Sequence, residues 1–170
     1  MNILLAAIGA FITLAVLAFF KFRKPFRYHN MGITKYNLGK YEDAIQEFNI
    51  AIQKNPLNAN PYLYRGYCKA ALGDDYGAIQ DYTLGMKRKT PSADDYLNRG
   101  ALKDKLEDYD GAIEDYTQAT YINASDSDAY FNRGLSNSKK GLVATAILDW
   151  RIAAGFGNQR AKDKLTEFDT

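Results

Sequence analysis

One pentapeptide returns every 34 residues, and that recurrence limits the fold more than any other property of the chain. Tyr62-Leu63-Tyr64-Arg65-Gly66 reappears as Tyr96-Leu97-Asn98-Arg99-Gly100 and Tyr130-Phe131-Asn132-Arg133-Gly134, with Tyr28-His29-Asn30-Met31-Gly32 one period earlier. Later in each period stands an Ala-Ile pair (Ala44, Ala78, Ala112, Ala146). An aromatic follows (Phe48, Tyr82, Tyr116, Trp150), then a small residue (Ala51, Gly85, Ala119, Ala153). Registers kept through four copies without an insertion imply stacked supersecondary units, each burying its apolar face on the next.

Each unit reads as two amphipathic helices. Ala78, Ile79, Tyr82 and Gly85 fall on one helical face. Asn60 is expected to cap a helix with Pro61 at its first position, where a missing N–H costs nothing. That helix should end near Leu72, with Gly73-Asp74-Asp75 as the turn. Ser92 with Asp95, and Ser125 with Asp128, have capping-box spacing. Pro56 and Pro91 punctuate the ends of second helices. No window alternates with period two over strand length, so no sheet is expected. Gly32, Gly66, Gly100 and Gly134 fall mid-helix, where glycine costs about 1 kcal/mol relative to alanine. Four such costs at one register point to a close helix contact, with a large aromatic filling the adjoining gap.

The N-terminus is different. Residues 3–20 carry no charged side chain, and much of the chain's 46% hydrophobic content lies there. Eighteen helical residues rise roughly 27 Å, enough for a thin hydrocarbon core, so a transmembrane helix is expected over 3–20. A cleaved leader is the competing reading: Val16-Leu17-Ala18 offers a weak cleavage site, but only Met1-Asn2 precedes the apolar run. Lys21, Arg23, Lys24 and Arg27 form a basic juxtamembrane segment over 21–27, which places the repeats on the cytoplasmic side. These four cations exceed the net charge of +2, so the remainder sums to −2 with both signs interleaved. That balance argues against nucleic acid as a partner.

Catalytic constellations are missing. Cys68 is the only cysteine, which excludes an intrachain disulfide and a Cys-rich metal site. His29 is the only histidine and stands at a different register from Cys68, so they form no dyad. Asp81, Asp115 and Asp149 recur because the unit recurs. No Gly-rich phosphate loop is present; Gly155-Phe156-Gly157 reads as a turn. No catalytic residue, metal, cofactor or small-molecule substrate is expected.

Tyr-x2-Arg-Gly, a turn glycine (Gly39, Gly73, Gly141), Tyr41 or Tyr109, Ala-Ile-x2-aromatic and x2-Ala together resemble the tetratricopeptide repeat (TPR). The resemblance implies an all-α, right-handed helix–turn–helix solenoid over 25–160, in units 25–58, 59–92, 93–126 and 127–160. A polar-faced capping helix follows over 158–168, carrying Ala161 and Leu165. There are departures: the tyrosine expected three residues after the motif glycine is Lys35, Lys69, Lys103 or Asn137, and the terminal proline is missing from units three and four.

The family implies a concave groove lined by the first helices. The fifth and ninth registers carry over as His29, Leu63, Leu97 and Phe131, and as Ile33, Tyr67, Ala101 and Leu135. Leu63, Tyr67, Leu97, Ala101, Phe131 and Leu135 are the candidate partner-binding residues; packing between adjacent units is the other use open to them. The lining lacks the Lys/Asn set by which one TPR subgroup clamps a C-terminal carboxylate. In a hairpin turning near its fifteenth residue, the seventh and twenty-third positions lie at one height. Arg65–Asp81, Arg99–Asp115 and Arg133–Asp149 are therefore expected as partly buried ion pairs. Unit one departs at both ends, with Met31 and Glu47. The overall expectation is a membrane-anchored scaffold that binds a protein or peptide partner. A secreted or periplasmic binding protein and an enzyme's regulatory subunit are the alternatives.

Overall fold

The computed structural model describes residues 26–167. Among these are nine helices and no strand: α1 (residues 26–37), α2 (Tyr41–Lys54), α3 (Ala59–Ala71), α4 (Asp75–Met86), α5 (Ala93–Lys105), α6 (Tyr109–Ile122), α7 (Ser127–Lys139), α8 (Val143–Gly155) and α9 (Gln159–Thr166). Successive helices pack on one another in chain order, as hairpins and between hairpins. The architecture is an all-α solenoid of four hairpins closed by α9. The expected span over 3–20 and residues 21–25 of the basic segment lie outside the described residues. Among the described residues, no helix is long and apolar enough to cross a membrane.

Local signals set the helix ends, in three places differently from the sequence reading. The α3 cap is Asn58, whose side chain accepts from Asn60 N, so Pro61 is the third helical residue. It still lies in the first turn, where backbone N–H groups lack an intrahelical acceptor. Ser92 and Asp95 form the expected capping box on α5. Ser125 does not cap α7: Asp126 does, accepting from Asp128 N and Ala129 N, because Asp126 is the residue that stands one 34-residue period after the Ser92 cap. Gly155 remains in α8, and the turn into α9 uses Gly157 at φ 91°. The fifteenth register is glycine with positive φ in units one, two and four, whereas unit three places Glu107 there at φ 63°.

The core is a row of small clusters along the solenoid. Ala44, Phe48 and Cys68 join units one and two; Leu63, Ala78, Tyr82 and Met86 fill unit two. Phe131, Ala146, Trp150 and Ala153 fill unit four, with Ala161 of α9 closing the end. The motif glycines explain the hairpin spacing. A Cβ on Gly32 would lie 2.5 Å from the Phe48 ring, and one on Gly134 would lie 2.5 Å from Trp150. Both are impossible contacts, so these rings fit only because the side chain is missing.

Candidate partner-binding groove

Under the groove runs a ladder of buried charges that holds its first helices in place. Arg65 donates from Nε and Nη2 to the two Asp81 oxygens at 2.8 and 2.5 Å. Arg99 meets Asp115 in the same way at 2.9 and 2.6 Å, and Arg133 meets Asp149 at 3.1 and 2.6 Å. The carboxylates are 1, 1 and 3% exposed. These hydrogen bonds raise the Arg99 pKa still further. Each guanidinium also donates from Nη1 into the preceding unit, to Asn49, Thr83 and Thr117 respectively. The arginines therefore join neighbouring hairpins as well as closing their own.

The family-pattern departures belong to the same ladder. Lys69 and Lys103 place Nζ 2.9 Å from Asp81 and Asp115, and Asn137 donates to Asp149 at 3.1 Å. Lys35 pairs with Glu47 at 2.7 Å. The residue three after the motif glycine is thus the second donor to the buried carboxylate. Unit one lacks the first donor: Met31 is exposed, and Glu47 Oε2 is buried without a hydrogen-bond partner.

Above this ladder, the first helices of units two to four and α9 enclose an open depression of about 470 Å³. Tyr67, Leu97 and Ala101 supply its apolar floor, and Asp94, Asn98, Asn132, Asp128 and Arg160 line it with polar groups. Asn98 Nδ2 donates to the Tyr67 hydroxyl at 3.0 Å, tying α5 to α3, and to Asp94 O at 2.6 Å within α5. Burial, with the charges of Asp95 and Asp94, pushes the Tyr67 hydroxyl up to about 12. Asn132, half-buried and lining the depression, makes no side-chain hydrogen bond among the described residues. Tyr36 and Tyr64 extend the aromatic surface from Tyr67 toward unit one, at 6.3 and 6.1 Å between ring centroids.

The other candidate lining residues lie elsewhere. Leu63 and Phe131 are 5 and 6% exposed and belong to the core clusters. Leu63 points into its own hairpin, where it fills the space left by Gly85. Leu135 packs against the unit-four core, and His29 is buried against Phe48 and Tyr64. The amides at the sixth register were visible in the sequence as the Asn98-Arg99-Gly100 and Asn132-Arg133-Gly134 tripeptides, yet the reading passed over them. Among the described residues, no group of His, Cys, Asp and Glu could hold a metal ion.

A tetratricopeptide-repeat family model matches residues 29–94, and a TPR-repeat model matches residues 105–141. The chain carries tetratricopeptide repeats. No curated protein matches it. Among solved structures, the TPR region resembles MamA at 24% identity, covering 82% of this chain and 81% of that one, with a TM-score of 0.76. It also resembles YrrB, described as a TPR protein with an unusual peptide-binding site, at 18% identity, coverage of 76 and 67%, and TM-score 0.72. A third is the first TPR of Spaghetti (RPAP3) bound to the HSP90 peptide SRMEEVD, at 19% identity, coverage of 70 and 94%, and TM-score 0.66. At these identities the likeness concerns the fold.

Proposed function

We propose that this chain is a scaffold that holds an extended segment of a partner protein across the concave face of its TPR units. The observation that carries the reading is the floor of Tyr67, Leu97 and Ala101 beside the free amide of Asn132. An extended segment offers alternating side chains for an apolar floor and backbone N–H and C=O groups for an amide. Spaghetti's TPR holding a peptide and YrrB's peptide-binding site lend support from the same fold. The apolar run 3–20 and the cations that follow it suit an anchor that keeps the groove beside a cytoplasmic membrane face. The fold supplies binding surface, and the role proposed is recruitment.

A photo-crosslinking amino acid at Ala101 tests this, with one at the exposed Gln118 of α6 as control. The expected result is a discrete adduct from position 101 only, lost when Asn132→Ala and Leu97→Asp are added. Equal adducts from both positions, or adducts indifferent to those changes, would sink the groove assignment. Deleting residues 1–24 should release the chain from the membrane fraction; retention there would refute the anchor.

A further inference from the structure

We infer that the segment held in the groove presents an arginine side chain to Asp94; this rests on the groove reading above and names the partner's chemistry. The chain contains the template one unit further on. Asp128, at the second register of unit four, meets Arg160 Nη2 at 2.6 Å, and Asn158 Nδ2 donates to the same oxygen at 3.0 Å. The Arg160 guanidinium also lies over the Phe131 ring at 4.5 Å. A carboxylate at the second register and an apolar side chain at the fifth thus hold one guanidinium at the edge of the groove.

One unit earlier the same places hold Asp94 and Leu97, but the residue equivalent to Arg160, the second of its helix, is Asp128, the second of α7. An acid stands where the template has its cation. Asp128 is committed to Arg160 and Asn158, and Asp94 has no ion pair or side-chain hydrogen bond among the described residues. Helix capping does not account for Asp94. Its neighbour Asp95 completes the capping box and pairs with Lys89 at 2.7 Å. Asp94 instead lines the depression with Leu97 and Asn98, next to the Tyr67 hydroxyl, whose proton is held first by burial and then by the charges of Asp95 and Asp94. The remaining charges lining that depression, Asp128 and Arg160, neutralise one another. A guanidinium from outside would complete the unit-three site, its planar fork taking Asp94 while its face covers Leu97. A ligand with an acidic residue there would meet two carboxylates and no free cation.

The test uses the full-length chain in detergent micelles and positional-scanning decapeptide pools, each with one position fixed as arginine, norleucine or glutamate. At one position the arginine pool should bind about tenfold more tightly than the glutamate pool, a scale set by one well-placed charge contact. Asp94→Asn should remove that advantage while leaving the melting curve unchanged. Raised salt should mimic Asp94→Asn. An arginine preference that survives Asp94→Asn, or a glutamate pool that binds best, overturns the inference. The groove reading then stands if Ala101→Glu still abolishes binding. Binding indifferent to Ala101→Glu overturns both. Binding by no pool overturns the arginine inference, and the crosslinking experiment then decides the groove by itself.

Discussion

Arg99→Ala probes the ladder at its most embedded rung. The substitution removes two charge-assisted hydrogen bonds to a carboxylate that is 1% exposed, and the donor to Thr83 across the unit boundary. Breaking a buried ion pair costs about 3–5 kcal/mol when the remaining charge is stranded. Here it is not fully stranded, because Lys103 Nζ stays 2.9 Å from Asp115. The expected loss is therefore about 2 kcal/mol, from hydrogen bonds to a charged group, with Arg99→Ala/Lys103→Ala reaching about 3–5 kcal/mol. For a domain of this size the single variant should melt roughly 4–8 °C lower. Far-UV circular dichroism melts and urea titrations measure both. Arg99→Met with Lys103→Met and Asp115→Leu should recover most of the stability, since apolar replacements leave no buried charge. Omitting Lys103→Met should spoil the recovery. Arg99→Ala melting with the wild type, or a triple variant as weak as the double alanine variant, would refute this account.

Met31→Arg should supply the missing donor to Glu47 and raise stability by about 1 kcal/mol, read as a higher melting temperature; no gain would mean that Glu47 Oε2 is not the counterpart of its equivalents in later units. Burial lowers the pKa of His29, so the folded state resists a proton that the unfolded chain accepts. Its contribution is complete above its ordinary value of about 6.5 and declines as pH falls below it. His29→Phe should flatten the melting temperature between pH 7.5 and pH 5.5, roughly the range that brackets that value; parallel curves for both proteins would contradict the sign.

The hairpins and the close glycine contacts were legible because a contact repeated four times leaves four substitutions in step. Gly32 with Phe48 and Gly134 with Trp150 could be paired from register alone. The facing of the fifth register was not legible. Leu63 is apolar in either orientation, and only its fit against Gly85 settles the side. The lysines were seen and misread as departures. Equal height in a hairpin pairs the eleventh register with the nineteenth, but a lysine stem spans the extra turn back to the twenty-third. Arg160 and Asp128 were hidden differently. They sit thirty-two residues apart, at the two ends of unit four, on its first helix and on the capping helix, so no local motif contains both.

The guanidinium that reaches into the preceding hairpin gives the array a direction. Each arginine needs an acceptor at the twenty-fifth register of the unit before it, and Asn49, Thr83 and Thr117 all provide one. Any unit carrying that arginine can therefore follow any unit carrying that acceptor. Excising residues 59–92 would bring Arg99 against Asn49, a side chain that already accepts from Arg65. Such a chain can lengthen or shorten by whole units while this one link is kept at each junction. Only unit one, with Met31, is confined to the start of the row.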